Sequence, residues 1–405
     1  MCFSLKCRSI LLRFDKKKLL FYYLSFVVLF SQIPIFSVYY IVRGMSSFMM
    51  IIGVLFIFIN WRILVDKSYI SDKLILFSVY FISFSSFFFN NDVPSPVELV
   101  FPLFVYFVVR IKKIYRIYVY DYFIRLLSLI FLLGICEFVF FLFTNNLFFD
   151  FGYVEREDAG QVFVHGLFSL INVGEIFYRF QSIFDEPGRV GTLCGFMLFI
   201  LDYNRYRKEF IVFLIAGILS LSLAYCAFLV IFLFVYIFSI RSLRQIILLL
   251  CVVITFSVAY SYNKDAFDIG IFDRISVGYE NGTLDNRTKD SAKSKLITDF
   301  NNGDIYWIGH GLNATLGEGN AGLLSRYYSI GIIGIILLFI TYNSLLFTHN
   351  YSSNRMLLFF VFWLSFYQRD YYFNPPDILL VTTYFSIPVL GNKSKKQQFC
   401  YEKSS

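Results

Sequence analysis

The sequence predicts an all-α, polytopic helical membrane protein of about 12 transmembrane helices with two long extracytoplasmic loops. Three observations predict it. The first is composition. Of 405 residues, 58% are hydrophobic and 16% charged, against about 45–50% and about 25% in soluble domains. Mean hydropathy is +0.65, more apolar surface than a water-soluble fold can hide. The second is that apolar residues come in runs close to the roughly 20 residues needed to cross a bilayer. The third is that Lys and Arg concentrate in alternate connections between those runs. Together they exclude a soluble enzyme, a nucleic-acid module and a disordered chain. Residues 1–405 read as a single integral-membrane domain.

The expected spans are 19–42, 45–65, 73–89, 97–111, 122–144, 187–202, 209–223, 224–240, 245–261, 321–346, 356–368 and 377–390. The first is too long for a signal-peptide core and lacks a small-residue cleavage site. The run 209–240 is too long for one span. It divides near Ser220, Ser222 and Ala224, where small and hydroxylated residues permit a tight turn.

Charge fixes the expected orientation. Arg110, Lys112, Lys113 and Arg116 share one connection, and Arg205, Arg207 and Lys208 another. The short connections on the other side carry only Arg43 and Arg369. Positive-inside asymmetry therefore makes both termini cytoplasmic and puts the long loops 145–186 and 262–320 outside. The net charge of +8 belongs to this asymmetry and is no sign of nucleic-acid binding. The seven cysteines form no CxxC pair, so neither a disulfide framework nor a thiolate metal site is expected. In the second loop, 288–300 reads as a helix with Ala292, Leu296 and Phe300 on one face.

Candidate functional residues lie on the expected outer side. Arg179, Arg189, Arg274, Arg287, Arg326 and Arg369 all depart from the positive-inside pattern. Arginine forks bind phosphate oxygens and stay charged. Arg189 and Arg326 sit at or within spans, where a charge is costly. Glu186 precedes Pro187 at the start of the sixth span, as an ordinary helix cap would. Flanked by Arg179 and Arg189, it is also a candidate general base. His310 lies between Gly309 and Gly311, a pair that lets backbone approach a ligand closely. A loop histidine is more often simply exposed. Gly331 and Gly334 read as helix-packing positions. Glu137, deep in the fifth span, is a secondary candidate.

Three stretches resemble the Wzy-type O-antigen and polysaccharide polymerases, in the wider group that includes O-antigen ligases. The first runs from Arg179 through Ser182, Phe184, Glu186 and Pro187 to Gly191. It is similar to the family's R-x-x-(G/S)-x-F-x-E-P-x-x-x-G motif. The second is 219–225, between two closely spaced spans. The third runs from Arg287 through Leu296 and Phe300 to Trp307, Gly309, His310 and Gly311, then Asn320, Gly331 and Gly334.

The resemblance implies polymerisation of polyprenyl-diphosphate-linked oligosaccharide repeat units at the outer face of the bacterial cytoplasmic membrane. The product would be O-antigen, capsule or exopolysaccharide. It assigns Arg189, Arg287, Arg326 and, less firmly, Arg179 to the diphosphate. Glu186 is the first choice and His310 the second for the base or orienting group. No cofactor or metal is implied. The partners implied are the lipid-linked oligosaccharide, the bilayer, a chain-length regulator and a flippase, and no nucleic acid. The alternatives are an O-antigen ligase, a lipid-linked oligosaccharide flippase or other transporter, and an acyltransferase. The Glu186–Pro187–Gly188 sequence favours polymerase over ligase. Long outer loops disfavour a transporter, and the lack of a histidine in any early span disfavours an acyltransferase.

Overall fold

The structure, a computed structural model, describes residues 45–66, 69–90, 96–156, 161–173, 178–184, 186–203, 205–237, 290–302, 306–312, 322–349 and 355–368, with a few isolated positions besides. The expected spans 19–42, 245–261 and 377–390 lie outside these residues except at isolated positions, and Arg287 lies outside them altogether. The fold is mostly helical. In chain order the helices are α1 (Met45–Ile59), α2 (Ile70–Asn90), α3 (Pro96–Arg110), α4 (Lys113–Thr144), α5 (Pro187–Ile200), α6 (Arg207–Leu219), α7 (Leu223–Ile237), α8 (Asp290–Asn301), α9 (Gly322–His349) and α10 (Arg355–Gln368).

Among the described residues, three helical segments are long and apolar enough to cross a membrane: Ile70–Asn90, Tyr115–Thr144 and Gly322–Thr348. They leave Phe77, Phe84, Phe88, Leu129, Phe143, Ile336 and Phe339 exposed. In water such helix faces would associate; against acyl chains they are ordinary.

Helix ends follow local chemistry. Asp72, in the first turn of α2, accepts the Tyr69 amide at 2.8 Å. Pro187 opens α5, where its missing N–H costs nothing. The α6–α7 turn falls at Ser220–Ser222, as the small residues predict. Leu221 takes a positive φ of 46° there. The Ser220 hydroxyl donates to the Gly217 carbonyl at 2.6 Å. Helix α4 begins at Lys113, well before the expected span, so its basic first turn extends the helix instead of forming a loop.

Two connections clasp each other at one end of the bundle. The Asp66 amide donates to the Arg110 carbonyl (2.9 Å) and the Lys112 amide to the Leu64 carbonyl (2.8 Å). The Arg110 guanidinium lies 4.8 Å from the Trp61 ring centroid. Nearer the start of α6, Asp121 of α4 accepts from both Arg205 and Tyr206. These basic connections are the ones the charge pattern assigned to the cytoplasm.

Helix α5 forms the centre, in contact with α6, α7 and α10. Every residue from Val190 to Ile200 is buried. Gly191 and Gly195, four apart, let α7 pack directly on it. A methyl on Gly191 would overlap Ser222, and one on Gly195 would overlap Phe228. This small-xxx-small spacing is a membrane-helix packing device. Phe131 of α4 joins the layers, meeting Phe180, Phe184 and Phe213 edge to face.

The first long loop departs from the all-α expectation. It holds a three-stranded antiparallel sheet of β1 (Tyr153–Arg156), β2 (Gln161–His165) and β3 (Leu170–Asn172), in that order. Register runs from Tyr153 opposite Val164 to Arg156 opposite Gln161. The β-branched and aromatic run Val162–Phe163–Val164 suits a strand. Glu137 anchors this sheet. Its carboxylate accepts the amides of Leu167 (3.3 Å) and Phe168 (2.9 Å) in the β2–β3 turn. The carboxylate therefore ties down the β2–β3 turn by backbone hydrogen bonds, a structural role beside its reading as a secondary candidate.

Candidate functional site

The first cluster forms where α5 begins. Glu186 takes the N-cap position with extended φ/ψ (−143°, 139°), and the Arg189 amide donates to its carbonyl at 3.1 Å. Glu186, Arg189 and Arg179 are each half-buried. A guanidinium in the first helical turn opposes the helix dipole. The same turn is a favourable place for an anion, because the positive end of the helix dipole and the Arg189 guanidinium lie together there.

The segment 178–184 leads into this turn and is pinned on both sides. The Leu170 amide donates to the Ser182 carbonyl (2.9 Å), and the Phe180 amide to the Leu219 carbonyl (3.0 Å). Ser220 and Ser222, both buried, stand beside Gly191. The fold thus brings together 179–191 and 219–225, the first two stretches of the resemblance.

The third stretch builds a second cluster on α9, and its glycines have a different role from the one expected. Gly331 breaks the helix with φ 69° and ψ −176°, a region open in practice to glycine alone. A break frees carbonyls before it and amides after it, and apolar surroundings offer them no water. The loop 306–311 satisfies all four. The His310 and Gly311 amides donate to the Tyr328 and Ser329 carbonyls, each at 3.0 Å. The Ile332 and Ile333 amides donate to the Tyr306 (2.9 Å) and Trp307 (3.1 Å) carbonyls. A methyl on Gly309 would overlap the Ser329 carbonyl, and one on Gly331 the Trp307 carbonyl. So Gly309 lets the loop dock on a broken helix, and Gly331 is the break itself.

Docking holds His310 in a set of rings. Its imidazole lies 4.4 Å, centroid to centroid, from both Tyr306 and Tyr328. Tyr306 also lies 5.6 Å from Tyr327. Helix α8 closes one side: Lys295 donates to the Tyr328 hydroxyl at 2.7 Å, and the Tyr306 hydroxyl donates to Asp299. Leu296 packs against Tyr328, while Phe300 is 68% exposed. The edge of α8 that meets α9 and the loop therefore includes Lys295, Leu296 and Asp299. Arg326 lies half-buried in the N-terminal half of α9, next to Tyr327. Asn90 of α2 reaches the same loop, donating to the Gly309 carbonyl at 3.3 Å.

The expected site residues thus fall into two groups: Arg179, Glu186 and Arg189 around the start of α5, and His310 and Arg326 around the break in α9. Lys295, Asp299, Tyr306, Tyr327 and Tyr328 belong to the second group and were not foreseen. Their signal was present: Lys295 and Asp299 stand four apart on one helix face, as contacting pairs do. Among the described residues, no group of three or more His, Cys, Asp or Glu side chains is placed to hold a metal. A bundle with three such long apolar helices fits the class of membrane proteins. Compared with family models, curated proteins and solved structures, the chain matches none.

Proposed function

We propose that the chain is a glycosyltransferase at the outer face of the cytoplasmic membrane that polymerises polyprenyl-diphosphate-linked oligosaccharide repeats, within a twelve-span layout with both termini in the cytoplasm. The observation that carries the reading is the start of α5. There a glutamate occupies the N-cap position of a helix whose first turn also carries a half-buried arginine, and buried Ser220 and Ser222 stand alongside.

The chemistry asks for two functions. The donor's anomeric C–O bond to diphosphate breaks, and the diphosphate leaves with the electron pair, still on its polyprenol. The acceptor hydroxyl forms the new glycosidic bond and gives up its proton. The Arg189 guanidinium and the positive end of the α5 dipole stabilise the leaving anion, with Arg179, Arg287 and Arg326 as the further cations. Glu186 receives the proton. Arginines here take the part that a divalent cation takes at many other diphosphates.

The test is a gel of surface polysaccharide from cells carrying variants of the chain. Arg189→Ala is expected to reduce the ladder to single repeats while the protein stays in the membrane. Glu186→Gln is expected to do the same, and Asp185→Asn to leave a ladder. Equal phenotypes for the two carboxylate variants would discard the base assignment, and a full ladder from Arg189→Ala the diphosphate role.

A further inference from the structure

We infer that the ring cluster on the broken helix α9 is a binding surface for the sugar rings of the glycan, a role distinct from the diphosphate role given to the arginines, Arg326 of the same helix among them. The inference rests on the reading of the chain as an enzyme of lipid-linked glycan. Sugars present apolar C–H faces edged by hydroxyls. A protein surface that suits them offers aromatic faces with polar groups at their margins. This cluster has that composition. His310 is exposed although its imidazole lies against Tyr306 and Tyr328. Trp307, beside it, is 59% exposed. Lys295 and Asp299 orient the tyrosine hydroxyls from one side.

Rigidity is the second argument. Four backbone bonds across the Gly331 break hold the loop to the helix. Tyr306, Trp307 and His310 are thus presented from a fixed backbone, and little conformational entropy is lost when a ligand settles on them. A loop serving only as a connection has no need to interrupt a membrane helix. A packing role would bury Trp307 and His310, and they are exposed.

The experiment uses the full chain in lipid nanodiscs. The probe is phosphate-free glycan released by mild acid from the producing cell's own surface polysaccharide. Trp307 reports binding through its fluorescence, isolated by difference from Trp307→Phe, since the other two tryptophans sit in the helical body. A saturable change is expected, weakened at least tenfold by His310→Ala and by Tyr327→Ala, with thermal melting as in the parent. Tyr306→Phe keeps the ring and is expected to retain binding. No saturable change, or parent-like titration of both alanine variants, would overturn the proposal. So would a response only to the lipid composition of the disc, which would make Trp307 a membrane anchor. Glycan binding without any ladder in cells would refute the polymerase reading and leave this surface standing. A ladder lost on Glu186→Gln with no glycan binding would do the reverse.

Discussion

His165 carries a cost that its neighbours do not relieve. It sits in β2, 4% exposed, with its Nε2 buried and without a hydrogen-bond partner. Burial disfavours the imidazolium and lowers its pKa from the ordinary 6.5. The unfolded hairpin therefore binds a proton more readily than the folded one. The sheet keeps its full stability above about pH 6.5 and loses it as pH falls below that value. Protection of the Val164 and Leu170 amides, taken relative to the intrinsic exchange rate at each pH, is expected to fall as pH drops from about 7.5 to about 5. His165→Asn is expected to flatten that dependence; an unchanged slope in the variant would place the titrating group elsewhere. Glu137 works at the same scale but to a different end. Each of its carboxylate oxygens accepts a backbone amide of the turn, so it holds the loop's shape.

At the scale of elements, the broken helix α9 is the unusual piece. Gly331→Ala introduces a side chain at positive φ and drives a methyl into the Trp307 carbonyl. The expected cost is about 1–3 kcal/mol, read as a lowered melting temperature with faster exchange at the Ile332 and Ile333 amides. Parent-like melting would mean that the loop docks without needing the break. This element also marks the limit of what the sequence discloses. Apolar runs and charge placed α1, α2, α3, α5 and α10 closely, and Ser220 and Ser222 located the α6–α7 turn. Those signals are local, so a linear reading captures them. Gly331 read as a packing glycine because its role depends on a loop some twenty residues away. The sheet at 153–172 was legible in principle, since Asp158, Ala159 and Gly160 separate two short stretches that carry β-branched and aromatic residues. It was overlooked because hydropathy dominates the rest of the chain. Likewise Glu186 and Arg189 stood out through their immediate neighbours. Tyr306, Tyr327 and Lys295 became visible as a group only once α8, the loop and α9 were assembled.

Across the whole molecule, one division of labour connects these parts. The basic connections 64–66 and 110–112 tie one end of the bundle. Helix α2 runs from that end to Asn90, which meets the docked loop. Apolar phenylalanine-rich faces lie between, left outward along α2, α4 and α9. The account accordingly assigns lipid to the flanks, diphosphate to the start of α5 and sugar rings to the break in α9. Its central claim is that this chain joins lipid-linked repeats to one another. The most direct measurement supplies the purified chain in liposomes with polyprenyl-diphosphate-linked single repeats, without any soluble nucleotide sugar, and resolves the products on a gel. A ladder of lipid-linked multimers is the predicted result, with free polyprenyl diphosphate released in step with each bond formed. Repeats that remain single while the protein stays folded would contradict the account.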